Sequence, residues 1–187
     1  ESKVQEEFLG KLVERARKLV PGDPLDPKTR LGAIVSQEQM KQVLGYIEAG
    51  QKEGAQLLAG GKRAAVNGDK GYFVEPTVFG AVKNEMKIAQ EEIFGPVLSV
   101  IPFDDEEDAI RIANDVRFGL GSSIWTNDEK ERERFINELE AGMVFINKMV
   151  ASDPRVPFGG VKASGHGREL SAVGMREFMN AKTVWIG

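Results

Sequence analysis

The 187 residues contain no cysteine and a single histidine. The absence of cysteine excludes disulfides, thiolate metal sites and a cysteine nucleophile within these residues, although it does not fix the compartment. One histidine argues against an all-protein zinc site. Long apolar runs are also missing, and none approaches the ~20 residues that a bilayer-spanning helix needs, so no membrane partner is expected. Charge of one sign is scarce too. The 25 bases and 29 acids are interleaved to a net charge of -4, which leaves no basic face for nucleic acid. No internal repeat or low-complexity segment occurs. The opening ESKVQEEFLG lacks an initiator Met and the basic-then-apolar pattern of a leader, so a piece of something longer is expected.

What is present suits a soluble globular protein, with 41% hydrophobic and 29% charged residues. The length is that of one domain, able to bury roughly 70% of its unfolded surface. Val4, Phe8, Leu12, Ala16 and Leu19 recur at helical spacing until Pro21-Gly22 breaks the pattern, which predicts an amphipathic helix. Ser36 and Gln39 form a capping box for a second helix that carries Met40, Val43, Leu44 and Ile47 inward, ending between Gly50 and Gly54. AQLLAGG reads as a strand, and GYFVEPTVFG as an extended segment whose Pro76 suits an edge.

Beyond these, VLSVIPF, GLGSSIWT and GMVFIN are strand-like and alternate with the helix-like DDEEDAIRIAND and NDEKERERFINELE. Near-continuous apolar strands imply burial on both faces. The expected class is therefore α/β, a largely parallel sheet covered by helices in three αβα layers. The closing KTVWIG reads as a strand with no partner close in sequence.

The segment PFGGVKASGHGRE, residues 157–169, concentrates four glycines and the only histidine. Gly160 and Gly165 have the spacing of a phosphate-cradling loop, but Lys and then Ser or Thr must follow, and His166 and Gly167 stand there. Gly165-His-Gly167 begins a dinucleotide fingerprint whose third glycine would fall on Leu170, so that reading fails too. Asp104 to Asp108 offers carboxylates to a cation, yet acids in the first turn of a helix complement its dipole, and this is the reading adopted. Lys62-Arg63 and Lys130 to Arg134 are taken as solvated charges. In Gln90-Glu-Glu-Ile-Phe-Gly-Pro-Val97, two carboxylates and an aromatic precede a strand, a place where α/β proteins bind ligands or merely turn the chain.

GDPLDPKTRLGAIVS, GYFVEPTVFG, EEIFGPV, GMVFIN, PFGGVKASGHGRE and KTVWI resemble, in this order, the carboxy-terminal part of the aldehyde dehydrogenase superfamily. The resemblance covers nearly the whole chain. It implies a partial catalytic-domain fold downstream of a nucleophilic cysteine over residues 1–179, with residues 180–187 forming a strand of an oligomerisation extension. In that family a cysteine thiolate attacks the aldehyde, the hemithioacetal gives hydride to a nicotinamide, and a glutamate-activated water releases the acid. The catalytic groups would lie upstream, so no catalytic residue is assigned here and the fragment alone is expected to be inactive. NAD or NADP is the implied cofactor, a small-molecule aldehyde the implied partner, and a cytoplasmic homo-oligomer, joined through the terminal strand and an exposed apolar face, the implied assembly.

By the same resemblance Glu92 accepts hydrogen bonds from the nicotinamide ribose hydroxyls and Phe94 packs beside the ribose and the ring. Phe158 is a residue lining the approach to the aldehyde, while the loop glycines, Arg168 and Glu169 are structural and His166 has no assigned role. The run Lys148 to Val156, KMVASDPRV, resembles the succinate-semialdehyde branch, whose substrate ends in a carboxylate. Ser152 can donate to that carboxylate, and Arg155 can offer a bidentate fork if it faces the substrate tunnel, the plainer alternative being a pair with Asp153. Two alternatives stay open: a free-standing, non-catalytic binding or assembly module, which needs its own closed core, and a dehydrogenase for glutarate semialdehyde or an uncharged aldehyde.

Overall fold

Strands and helices alternate as expected, and the chain divides into two compact units, Glu1–Asp104 and Asp105–Gly187. The structure, a computed structural model, describes every residue except Asn67 and Asp69.

In the first unit a short 3-10 turn at Ser2–Val4 leads into α1 (Gln5–Lys18), followed by α2 (Gln37–Lys52), β1 (Gln56–Ala59), β2 (Thr77–Gly80), α3 (Lys87–Gln90) and β3 (Val97–Ser99). Helix α2 starts where its cap predicts: the Gln39 backbone N–H donates to Ser36 Oγ at 3.1 Å. Met40, Val43, Ile47 and Gly50 then fall on one buried stripe. That stripe packs on Val74, Phe79, Val82, Ile88 and Ile93 to make the core. Helix α1 forms as expected, yet none of its residues is fully buried, and Val4 and Phe8 remain exposed.

The sheet runs β1-β2-β3, with β1 antiparallel and β3 parallel to β2. All four residues of β2 are buried. Pro76 does not mark an edge, because β2 is the middle strand. Pairing begins one residue later, where Thr77 N–H donates to Pro96 O at 2.8 Å, so the missing proline donor costs nothing.

The second unit contains α4 (Glu106–Asn114), β4 (Phe118–Gly119), β5 (Gly121–Ile124), α5 (Glu129–Glu138), β6 (Met143–Ile146), β7 (Val161–Lys162) and α6 (Ser171–Arg176). Strands β5 and β6 are parallel and β4 and β7 antiparallel, each as a separate pair. Asp105 and Asp128 cap α4 and α5 through their side chains. The acids after Asp105 serve the helix and its neighbour: Asp108 pairs with Arg111, and Arg134 with Glu106, Glu107 and Glu138. Arg134 is thus engaged by three carboxylates, not merely solvated.

Ile110 and Met143 are the only large apolar side chains of this unit that are buried, while Trp125, Met149, Val156, Phe178 and Trp185 are exposed. The terminal segment KTVWIG adopts no strand. A strand exists only by pairing its N–H and C=O groups, and none of the described strands lies beside this one. Among the described residues no helix is long and apolar enough to cross a membrane.

Candidate functional site

In the first unit residues 91–96 of the EEIFGPV segment form the loop between α3 and β3, and its two carboxylates have different fates. Tyr46, on α2, donates its hydroxyl to Glu91 at 2.7 Å, and the Lys87 ammonium stands 3.9 Å from the same carboxylate. Accepting from the phenol ties Glu91 to the fold and, with partial burial, raises the Tyr46 pKa above the ordinary phenol value. Glu92 is exposed, and no hydrogen bond or ion pair engages its carboxylate among the described residues. Ile93 is buried in the core, while its neighbours Glu92 and Phe94 are exposed.

Phe94 is 74% exposed and adopts φ of +55°, a left-handed conformation that an aromatic residue rarely takes. Such a backbone persists only when its surroundings hold it. Here the Gln39 amide donates to Ile93 O at 3.1 Å and to Phe94 O at 3.3 Å. Gly95 completes the hold: a Cβ at this position would stand 2.6 Å from Val43 Cγ2, so only glycine lets the loop lie against α2. Sequence reasoning missed Gln39, because the capping-box pattern assigns its side chain to the helix end. Only the backbone half of that box is present, and the side-chain amide is spent on the loop.

In the second unit the segment after β6 begins at Asn147, whose φ is +52°. Its side chain accepts from Thr126 N–H at 3.0 Å and donates to Thr126 O at 2.8 Å, fastening the carboxyl ends of β5 and β6 together. An asparagine directly after a strand, tolerant of left-handed backbone, was the available signal for this lock. Ser152 follows, exposed and with its hydroxyl unengaged among the described residues. Arg155 does pair with Asp153: Nε donates at 2.9 Å and Nη2 at 2.6 Å. This fork holds the Asp153 carboxyl well below the usual carboxylate range.

Phe158 is half-buried and bridged to Glu169, each N–H donating to the other's carbonyl at 2.8 Å. The glycine-rich loop between them is fastened at three points. Lys162 donates to Asn114 O at 2.6 Å and Val116 O at 3.2 Å and pairs with Glu140 at 2.5 Å. Ser164 Oγ accepts from Gly119 N–H at 3.0 Å. Arg168 closes the loop on itself through Gly160 O at 2.8 Å and Gly167 O at 2.7 Å. Gly165 and Gly167 have φ of +119° and +73°, so these glycines have the structural role expected of them. His166, between them, is exposed. Glu92 and Phe94 thus stand on one loop of the first unit, and Ser152, Arg155 and Phe158 fall within one seven-residue stretch of the second.

Residues 1–184 match the model of the aldehyde dehydrogenase family. The chain is 45% identical over 184 residues to a succinate-semialdehyde dehydrogenase (NADP+) of Mycobacterium ulcerans, covering 98% of this chain and 40% of that protein. It is 46% identical over 184 residues to a betaine aldehyde dehydrogenase of Brucella anthropi, covering 98% of this chain and 38% of that one. Among solved structures, the indole-3-acetaldehyde dehydrogenase of P. syringae, in complex with NAD+ and IAA, superposes with a TM-score of 0.96 at 45% identity, over 100% of this chain and 37% of that chain. An aldehyde dehydrogenase from Bacillus cereus gives 0.94 at 43% identity, over 98% and 37%. The chain therefore spans about two fifths of the length of its relatives, shares their α/β fold, and belongs to the aldehyde dehydrogenase family.

Proposed function

We propose that this chain is the carboxy-terminal part of an NAD(P)-dependent aldehyde dehydrogenase that oxidises succinate semialdehyde to its dicarboxylic acid. The observation that carries the reading is the EEIFGPV loop. It presents one free carboxylate, Glu92, beside one exposed ring, Phe94, on backbone that Gln39 and Gly95 hold in place. An ionised carboxylate with both oxygens available fits a vicinal diol such as the nicotinamide ribose, and the ring fits the flat side of the sugar and base. When bound, NAD(P) supplies the hydride acceptor. The work of these residues is positional: they fix where the acceptor ring lies, which can account for several kcal/mol of the barrier.

The carboxylate end of the substrate follows from the run Lys148 to Val156. It holds two bases, one acid and no aromatic residue. A quaternary ammonium, as in betaine aldehyde, is recognised by aromatic faces, whereas a carboxylate is recognised by hydroxyl and guanidinium donors, which Ser152 and Arg155 offer. Phe158 lines the approach to the aldehyde. The exposed Trp125, Phe178 and Trp185 support a chain completed by further protein rather than a free-standing module, which would enclose its own core. Residues 180–187 then pair in a homo-oligomer. The test is reduced-nicotinamide absorbance when the full-length protein receives succinate semialdehyde with NAD or NADP; no reduction with either cofactor and any aldehyde removes the reading.

A further inference from the structure

The Asp153-Pro154-Arg155 turn is held by hydrogen bonds within it and to the start of α6. Asp153 Oδ1 accepts from the Arg155 backbone N–H at 2.9 Å, and Asp153 O accepts from Val156 N–H at 3.1 Å, so the turn closes on its own first residue. Pro154 locks the φ between them. Its carbonyl in turn accepts from Ser171 N–H at 3.1 Å, which fastens the turn to the start of α6. Within this frame the Arg155 side chain is also held, by the fork to Asp153 described above.

The fork uses one edge of the guanidinium. Arginine has five N–H donors. Asp153 takes Nε–H and one proton of Nη2, and the end-on edge made by Nη1 and the second Nη2 proton has no partner among the described residues. That side chain is 85% exposed. An exposed arginine ordinarily samples many rotamers and loses that freedom on binding an anion; the fork to Asp153 favours one of them in advance, while a carboxylate-binding edge stays open. Ser152, the residue before the turn, adds an unengaged hydroxyl. Charge agrees with an anionic ligand, since Lys148 and Arg155 outnumber Asp153.

We propose that Asp153 is a positioning residue that presents the free edge of Arg155 to the carboxylate end of the aldehyde substrate. The inference rests on the semialdehyde reading above. Asp153 touches no substrate itself; it converts a mobile surface arginine into a directed fork and so contributes to the choice of a carboxylated over a neutral aldehyde.

The test is kcat/KM for succinate semialdehyde and for butanal, measured on the full-length protein and its Asp153→Asn, Arg155→Met and doubly substituted forms. Asparagine keeps the turn-closing acceptor but loses the charged fork. The ratio of the two kcat/KM values should fall about fivefold in Asp153→Asn, the size of one partly exposed ion pair. The fall should come through KM of the semialdehyde, and the double form should discriminate no worse than Arg155→Met. A ratio that is unchanged or higher in Asp153→Asn, equal losses on both aldehydes, or losses that multiply in the double form each overturn the proposal. If the unsubstituted protein does not discriminate between the two aldehydes, the semialdehyde reading fails first; if it does and Asp153→Asn discriminates equally well, the proposal alone fails.

Discussion

Replacing Glu92 by glutamine in the full-length protein isolates the positional role proposed for the EEIFGPV loop. The exchange keeps size and shape. Glu92 makes no hydrogen bond or ion pair among the described residues, so folding stability should move by no more than about 0.5 kcal/mol, as for surface substitutions generally. Binding is another matter. A carboxylate accepting from two hydroxyls makes two charge-assisted hydrogen bonds of about 1.5–3 kcal/mol each, against about 0.5–1.5 for neutral ones. The loss is then about 1 kcal/mol per bond and about 2 in all, which corresponds to roughly a thirtyfold fall in kcat/KM. Because the loop backbone is held from α2 and not by Glu92, the effect should stay local to the carboxylate. Steady-state kinetics with varied cofactor, beside a thermal melt, make the assay. A melt at the original temperature with kcat/KM for the cofactor unchanged would falsify the assignment of Glu92 to the cofactor.

Three further outcomes are expected. Gln39→Ala and Gln39→Glu both remove the donor that holds Ile93 O and Phe94 O, and each should raise the cofactor KM by about tenfold, the size of one to two hydrogen bonds; equal KM values in cofactor titrations would show that the loop holds itself. Lys162→Ala leaves Glu140 and two carbonyls without their shared cation and should destabilise the protein by about 1–3 kcal/mol in urea, with partial recovery in Lys162→Arg. The Tyr46 phenol has a raised pKa in the fold, so its bond to Glu91 contributes fully below the ordinary phenol value and is lost as pH rises through the folded one. The stability difference between the protein and Tyr46→Phe in urea should accordingly be present at about pH 7 and fade above about pH 10; a difference that grows in alkali contradicts the pairing.

Local features were the most legible in the sequence. Helix α2 starts at the Ser36 cap read for it, because a cap is decided within four residues, and α4 and α5 fall within the runs read as helix-like. Strand β2, read as an edge segment, is the one buried on both faces, whereas β3, β5 and β6, whose apolar runs imply such burial, are mostly half-buried. Contacts between distant residues were not legible. Which of two adjacent glutamates stays free depends on Tyr46, 45 residues before Glu91, and the positive φ of Phe94 depends on Gln39. Arg134 reads as one solvated base among several, yet it gathers carboxylates from two helices. The terminal KTVWIG has the composition of a strand, but pairing is a property of the neighbour as much as of the segment.

The branch assignment is tested most directly by kcat/KM of the full-length protein with succinate semialdehyde, butanal and betaine aldehyde, using each nicotinamide cofactor. A preference for the semialdehyde of about a thousandfold over butanal, or roughly 4 kcal/mol of differential transition-state binding, is the predicted result, because shape alone does not supply so much between aldehydes of equal carbon count. Near-equal values for all three, or a preference for betaine aldehyde, would contradict the account of Lys148 to Val156 as the reader of a carboxylate.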